Sequence, residues 1–202
     1  LGAFAEIREE GAFAWVDVST GDLTVAPCPR VALGPMLARL APREVLVVEA
    51  LEPELRPLIG EAGAVATPLA RSSFDSSLAE GRVAAAFKAA TLDGFGSFSR
   101  AEVSALGGLL EYIVITQAGR VPHLRPPRRE SPGAVLLIDP ATRANLELTR
   151  TLAGERRGSL LSVIDLAVTA AGSRCIAARL SNPLCDPYAI ASRLDEVAHF
   201  TG

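Results

Sequence analysis

The sequence predicts an α/β unit followed by an all-α unit, and three observations support this fold class. Residues 1–118 alternate between short β-type runs and helical segments, the pattern of a mixed sheet with helices on its faces. Residues 119–133 are rich in proline and arginine, which is typical of a linker. Residues 134–202 contain two Asp-Pro pairs that are placed to begin helices.

The chain opens with the pattern of a three-stranded antiparallel meander. Strands are predicted at residues 3–8, 12–18 and 23–26, because side chains alternate between two faces along the second of these runs. Residues 9–11 and 19–22 are predicted to be the two turns, since both contain glycine beside polar residues.

Two further strands and four helices complete the α/β unit. The apolar run within residues 44–49 is typical of a central strand that is buried on both faces, and residues 64–69 predict a weaker strand. Ser99 and Glu102 have the spacing of a capping box at the start of the last helix. The helices are predicted at residues 33–40, 53–62, 76–90 and 99–117. In its order of elements the unit resembles the ribonuclease-H-like arrangement.

The second unit is predicted to contain a strand-like run at residues 135–138 and then helices only. Asp139 and Asp186 precede prolines and are expected to cap two helices, and further helical pieces are expected at residues 159–165 and 169–180. The unit ends without an obvious cap. We therefore expect the chain to be part of a longer protein that completes the core of this unit.

Composition excludes two classes of protein. The net charge of −3 excludes nucleic-acid binding by bulk positive charge, although it leaves room for a local basic patch. The longest uncharged run has nine residues, too few to cross a membrane, and no secretory signal is present. The three cysteines have no paired spacing, which favours a reducing compartment. These features predict a cytoplasmic protein without a membrane partner.

The candidate contacts to DNA lie in the predicted linker. Arg125, Arg128 and Arg129 form a basic cluster that could meet backbone phosphates. The alternative is a solvated linker whose arginines pair with acidic residues. The proline content and the absence of interleaved aromatic residues favour this alternative.

The acidic residues of the α/β unit raise the hypothesis of a metal-dependent nuclease. Such enzymes hold two metal ions between several carboxylates, and the candidates are Glu6, Asp17, Glu49 and Asp75. Asp17 and Glu49 would lie close together if their strands are neighbours. A structural role is preferred, because charge is common at a strand end and Asp75 is expected to cap a helix. No phosphate-binding loop, nucleophile motif or zinc spacing is present, so no catalytic, cofactor or metal site is predicted.

Five strings of the sequence are specific enough to compare with a known family. They are Trp15-Val-Asp-Val-Ser-Thr-Gly21, Leu92-Asp-Gly-Phe-Gly96, Asp139-Pro-Ala-Thr-Arg-Ala-Asn-Leu-Glu-Leu-Thr149, Gly158-Ser-Leu-Leu-Ser-Val-Ile-Asp165 and Thr169-Ala-Ala-Gly-Ser-Arg174. In this order they resemble the MutS family of bacterial DNA mismatch repair proteins. The first unit is similar to the connector domain of that family, and the second unit to the start of its core, or lever, domain. One departure is Ala171, where the family usually has methionine.

The resemblance implies a non-catalytic segment of a homodimeric ATPase that recognises mismatched DNA. The segment would transmit state between the mismatch-reading, clamp and ATPase parts of the protein. ATP and Mg²⁺ would bind the ATPase part, since this chain has no Walker motif. A second MutS subunit and mismatched duplex DNA would be partners of the whole protein.

The resemblance also implies a docking surface for the repair protein MutL. We expect the helix at residues 76–90 to form this surface, because its alanines leave it smooth, with Arg82 and Lys88 as exposed contacts. A stand-alone partner-binding module is a third hypothesis, and it predicts natural boundaries at both ends of the chain.

Overall fold

The computed structural model describes residues 1–117 and 123–201. These residues form two compact units, which are described separately. The first unit comprises Leu1–Leu37 and Ala41–Ser131, and the second comprises Ala38–Leu40 and Pro132–Gly202. In the described ranges, no helix combines the length and the apolar character that a bilayer crossing requires.

A six-stranded mixed sheet forms the centre of the first unit. Its strands are β1 (Gly2–Ile7), β2 (Glu10–Asp17), β3 (Asp22–Pro27), β4 (Glu44–Val48), β5 (Val65–Leu69) and β6 (Arg128–Arg129). They lie in the order β5-β4-β1-β2-β3-β6. The predicted meander is confirmed, since β2 pairs antiparallel with both β1 and β3. The other neighbouring pairs, β1 with β4, β4 with β5 and β3 with β6, are parallel.

In the part of the first unit that the structure describes, four helices accompany the sheet, as predicted, and their bounds differ from the prediction mainly at one end. They are α1 (Arg30–Leu40), α2 (Glu52–Glu61), α3 (Ser76–Ala86) and α4 (Arg100–Thr116), with 3₁₀ turns at Arg71–Phe74 and Asp93–Phe95. α3 ends four residues earlier than predicted. Lys88 there has a left-handed backbone (φ 53°), and Phe87 packs edge-on against Phe95 with ring centroids 5.8 Å apart. The helix therefore ends before Lys88, because a left-handed residue cannot continue a right-handed helix.

The first turn lies one residue earlier than predicted. Arg8 and Glu9 form it, both with positive φ, while Glu10 and Gly11 belong to β2. Gly11 is required for a different reason, because a Cβ there would lie 2.1 Å from the backbone oxygen of Cys28. The glycine allows two backbone segments to approach closely and does not make the turn.

Helix α4 lies against the sheet and forms the main core with it. Small side chains on one face of β1 and β2 make room for the helix. Between them, Phe4 and Phe13 are paired in register and point to the other face, where both are fully buried. The small residues on the α4 face are Ala3, Ala5, Ala12 and Ala14. Because side chains alternate along a strand, the large phenylalanines lie on one face of the sheet, and the small alanines let α4 pack closely on the other.

The start of α4 carries the predicted capping box. The Ser99 hydroxyl oxygen accepts a hydrogen bond from the Glu102 N–H at 3.2 Å, and Glu102 Oε2 accepts one from the Ser99 N–H at 2.6 Å. Glu102 is nevertheless fully buried. A buried carboxylate needs a charged partner, and its partner is described with the candidate site.

Glu44 joins α4 to the parallel edge of the sheet. Its Oε1 accepts hydrogen bonds from the Tyr112 hydroxyl at 2.7 Å and from the Thr67 hydroxyl at 2.6 Å. The hydrogen bond to Glu44 raises the pKa of Tyr112 to about 12, because loss of the phenol proton would place two negative charges together.

We expect the Tyr112 phenol to ionise near pH 12 rather than 10.0, its ordinary value. Since the folded state raises this pKa, the stabilisation from protonated Tyr112 is complete below pH 10.0 and is lost as the pH rises towards 12. Ultraviolet titration of a Tyr188→Phe variant measures Tyr112 alone, because the chain has two tyrosines. Adding Glu44→Gln should return the midpoint towards 10.0; an unchanged midpoint would show that Glu44 is not the cause.

Residues 132–201 of the second unit contain four helices joined by turns. They are α5 (Pro140–Asn145), α6 (Leu160–Ile164), α7 (Ala170–Ser181) and α8 (Pro187–Thr201). Asp139 caps α5 as predicted, with its side chain accepting from the Thr142 N–H at 2.9 Å, and Asp186 accepts from the Tyr188 N–H at 3.1 Å. Large apolar side chains remain exposed on this unit, among them Leu166, Val168, Tyr188 and Phe200.

The prediction of a strand-like run at residues 135–138 is wrong. Val135 makes a single antiparallel bridge to Leu184. The neighbouring Pro183 accepts a hydrogen bond from the Leu136 N–H at 2.8 Å but has no N–H to return. The ladder therefore does not extend into a strand.

Candidate partner-binding surface

The sequence places the candidate partner-binding surface on α3. Asp75 caps this helix by accepting hydrogen bonds from the N–H groups of Ser77 and Leu78 at 2.8 and 3.4 Å. Ala79, Val83 and Ala84 are buried against the core, so the opposite side of the helix is turned outward. We call Leu78, Gly81, Arg82 and Ala85 the α3 outer face. Their spacing of three and four residues places them on one side of the helix.

Leu78 and Gly81 are the members of this face that sequence reasoning missed. Leu78 is 58% exposed although it is a large apolar residue. A Cβ at Gly81 would have no neighbour within 4 Å, so the surface at this point is open. Their positions in the predicted helix could have indicated that both residues are exposed. Leu78 lies three residues after the capping Asp75, and Gly81 three further on, a spacing that leaves both away from the buried Ala79 and Val83.

Arg82 is less exposed than the prediction assumed. Its Nη1 donates to the backbone oxygens of Ser73 at 3.0 Å and Gly107 at 3.2 Å, and its Nη2 lies 2.9 Å from Glu111 Oε2. The side chain of Arg82 is 25% exposed. Arg82 thus ties α3 to α4, while one edge of it still belongs to the α3 outer face.

Lys88 is exposed, as predicted, but it lies beyond the end of α3. Within the described ranges its ammonium group has no hydrogen bond or ion pair. It is the only lysine of the chain. The α3 outer face therefore has an unpaired cation near its carboxyl end.

The predicted linker from 119 to 133 is partly built into the first unit. Residues 118–122 lie outside the described residues. The segment that follows packs on the meander: the Arg125 N–H donates to the Gly21 backbone oxygen at 2.8 Å, and the Glu130 N–H donates to Val25 at 2.8 Å. The prediction of a solvated linker is therefore wrong for the backbone of residues 123–131, because β6 satisfies backbone groups at the sheet edge. The predicted pairing of its arginines with acidic residues is confirmed at Arg125 and Arg129.

The three candidate arginines of this segment have different surroundings. Arg125 lies 2.9 Å from Asp22 in an exposed ion pair, which contributes little to stability. The Nε of Arg129 lies 2.7 Å from Oε1 of the buried Glu102. Arg128 is exposed and has no side-chain partner in residues 1–117 and 123–201. Of the three, Arg128 alone has an unoccupied guanidinium group in those ranges.

The carboxylates of the nuclease hypothesis do not converge. Since β2 runs antiparallel to β1 and β4 runs parallel to it, Asp17 lies at the end of the sheet opposite to Glu49. Hydrogen bonds from Ser19 hold the pKa of Asp17 below its ordinary value. Glu6 is paired with Arg30 at 2.5 Å. Over the described part of the chain, no three His, Cys, Asp or Glu residues are grouped to hold a metal ion. The hypothesis of a nuclease that uses Asp17 and Glu49 is therefore wrong.

Comparison with known families matches both units in order. A family model described as MutS domain II matches residues 2–125, and one described as MutS domain III matches residues 141–202. The chain belongs to the MutS family. The first unit is thus a MutS connector domain, and the second unit is part of a MutS core domain. The resemblance drawn from the five sequence strings is confirmed.

Curated MutS proteins are similar to this chain over nearly its whole length. A DNA mismatch repair protein MutS of Cereibacter sphaeroides is 53% identical over 201 residues, which cover 100% of the chain and 23% of that protein. A MutS protein of Roseobacter denitrificans is 50% identical over 198 residues, with 98% and 23% covered. One of Rhodopseudomonas palustris is 54% identical over 189 residues, with 93% and 21% covered. The chain therefore spans less than a quarter of the length of these MutS relatives.

Proposed function

We propose that the chain is the connector and the first part of the lever in a protein that recognises mismatched DNA. Support comes from the two domain matches and from relatives that are named DNA mismatch repair proteins. On this proposal the mismatch-reading, clamp and ATPase parts, with ATP and Mg²⁺, lie outside these 202 residues. A second MutS subunit and mismatched duplex DNA are partners of the whole protein, and the exposed Arg128 is its candidate contact to a backbone phosphate.

The relay role is supported by the way α4 is held. Its residues from Ala101 to Leu110 are all buried, so the helix is packed firmly along most of its length. Arg129 binds Glu102 in its first turn, so the segment at residues 123–131 is attached to the same helix. A rigid helix joined to the chain that leaves the domain is the kind of element that a relay needs.

A ribonuclease-H-like fold for the first unit is part of the same proposal. The strand order β3-β2-β1-β4-β5, with an antiparallel meander followed by two strands parallel to β1, supports it. On this proposal the chain keeps such a sheet without a nuclease site and uses it as a scaffold for contacts between proteins.

We propose further that MutL docks on the α3 outer face. The main support for this docking surface is Leu78, an exposed apolar side chain beside the open surface at Gly81. A partner that covered Leu78 would remove its apolar surface from water, which favours binding. The unpaired Lys88 adds a charge for an acidic group of the partner.

A Gly81→Trp variant tests the docking surface without disturbing the fold, because a side chain at Gly81 meets no neighbour within 4 Å. We expect it to weaken the binding of purified MutL by at least about tenfold, since an indole would cover the flat face. Lys88→Glu should weaken binding by a smaller factor. Surface plasmon resonance with immobilised MutL measures both changes.

The matched control is Gly60→Trp, which adds the same indole at an open, exposed glycine of α2. It should leave the dissociation constant unchanged. Equal binding by the Gly81→Trp and Gly60→Trp variants would place the MutL contact elsewhere. Charge reversal of Arg82 is a poorer probe, because Arg82 also holds α3 to Glu111 and to the Gly107 backbone.

A further inference from the structure

A cavity of about 880 Å³ lies in the first unit at the carboxyl ends of β1 and β4. Glu6 and Ile7 of β1 and Val48 of β4 line it. At this point the strand order reverses, because β2 and β3 follow on one side of β1 while β4 and β5 follow on the other. In α/β sheets, ligands bind beyond the carboxyl ends of strands at such a change. The volume is in the range of small-molecule sites, about 300–1,000 Å³.

Three arginines with unsatisfied charge line this cavity. They are Arg8 in the β1–β2 turn, Arg71 in the 3₁₀ turn before α3, and Arg100 in the first turn of α4. In residues 1–117 and 123–201, the side chains of Arg8 and Arg71 have no hydrogen bond or ion pair. Among the described residues, Arg100 bonds only to the neutral Ser76 hydroxyl, at 3.2 and 3.3 Å.

Two of the three carboxylates in the lining are already bound within the protein. Glu6 Oε2 accepts from Arg30 at 2.5 Å, and Asp75 Oδ1 accepts the two N–H groups of its helix cap. The exposed Glu9 is the remaining one. Hydrogen bonds from N–H groups do not neutralise Asp75, so the three free guanidinium groups face the two carboxylates of Glu9 and Asp75. With Arg30 paired to Glu6, the lining has a net charge of +1, which favours an anion.

The turn that contains Arg8 has an unusual sequence for its backbone conformation. Two-residue turns with positive φ at both positions strongly prefer Asn-Gly or Asp-Gly. Here Arg8 and Glu9 adopt φ values of 51° and 68°. Residues that break local preferences without a structural gain are concentrated at functional sites. This conformation belongs to a residue that lines the cavity.

We propose that this cavity binds a phosphate-bearing ligand through Arg8, Arg71 and Arg100. Guanidinium groups bind phosphate oxygens in pairs of parallel hydrogen bonds, and the excess of one positive charge in the lining favours an anionic group. Ile7, Val48, Leu51 and Phe74 supply an apolar wall for the remainder of the ligand. The phosphate belongs either to a nucleotide-sized molecule or to a DNA backbone, and one experiment separates the two sources.

The test is calorimetric titration of the 202-residue chain with inorganic phosphate, with AMP, and with a short DNA duplex that lacks terminal phosphates. We expect saturable binding of at least one probe. AMP binding without duplex binding identifies a small molecule, and the reverse identifies a DNA backbone. The Arg71→Gln/Arg100→Gln variant should bind that probe at least about tenfold more weakly. Arg43→Gln is the matched control, because Arg43 is an exposed arginine at the other end of β4.

Two results would overturn the proposal. One is the absence of saturable binding by every probe up to about 10 mM, where any useful site would be filled. The other is equal affinity of the Arg71→Gln/Arg100→Gln and Arg43→Gln variants, which would mean that any binding lies elsewhere. Circular dichroism checks that the variants fold. Arg8→Gln gives a second, single-residue test. We expect the loss of one guanidinium contact to weaken the affinity by about threefold.

Discussion

The Gly107→Ala variant is expected to lose about 2 kcal/mol of its free energy of unfolding. Gly107 lies in α4 where the helix crosses α3, and a Cβ there would lie 2.2 Å from the Ala79 Cβ and 2.9 Å from its Cα. The second contact is with backbone, so no side chain can rotate away, and the two helices must separate. Alanine favours a helix over glycine by about 1 kcal/mol, which offsets only part of the strain.

Gly81→Ala is the control for this prediction. It makes the same substitution in α3, where the added methyl group meets no neighbour within 4 Å. We expect it to stabilise the protein by about 0.5–1 kcal/mol, because only the helix preference changes. Urea unfolding of both variants measures the two effects, which should have opposite signs. If both variants gained stability, the close approach of α3 and α4 would be disproved.

The Arg129→Ala variant is expected to lose about 3 kcal/mol of unfolding free energy. Its partner Glu102 is fully buried, and among the described residues the substitution would leave that carboxylate with the Ser99 N–H as its remaining hydrogen-bond donor. Removal of one member of a buried ion pair is costly, because the other charge stays away from water. The loss should lie at the lower end of the usual range, since Arg129 is 38% exposed and water can enter in its place.

Arg128→Ala is the control, and we expect a change within about 0.5 kcal/mol, since Arg128 is exposed without a side-chain partner in the described ranges. The Glu102→Leu/Arg129→Leu variant should recover much of the loss, because no buried charge remains. Urea unfolding gives the energies, and hydrogen exchange at the Glu130 N–H reports whether β6 leaves β3. An Arg129→Ala variant as stable as Arg128→Ala would mean that the ion pair contributes nothing.

The parts of the fold that depend on local signals were predictable from the sequence. The meander, the buried strand at β4 and the capping box at Ser99 and Glu102 depend on alternation, hydrophobicity and short spacing. β6 was not predictable in this way, because it has two residues and pairs with a strand about 100 residues earlier. The turn at Arg8 and Glu9 was misplaced because Gly11 looked like a turn residue and serves a close backbone contact instead.

The candidate site was predictable as a helix but not as a set of side chains. Sequence indicated α3, yet whether Arg82 is free depends on Glu111 and Gly107 of α4, which only the packing brings near. The same limit applies to Asp17, whose end of the sheet follows from strand direction. Residue type shows what a side chain can do, whereas long-range pairing decides whether it is available.

The pairing of β6 with β3 also has a consequence for the order of events during synthesis. β3 leaves the ribosome about 100 residues before β6, so its outer edge stays open for roughly 5–20 s at usual translation rates. An open edge can recruit a foreign strand, and β3 has few charges to prevent it. At the opposite edge, Pro68 in β5 has no N–H to offer to another strand. Nascent chains should therefore be most vulnerable to misassembly at β3, until Arg129 reaches Glu102.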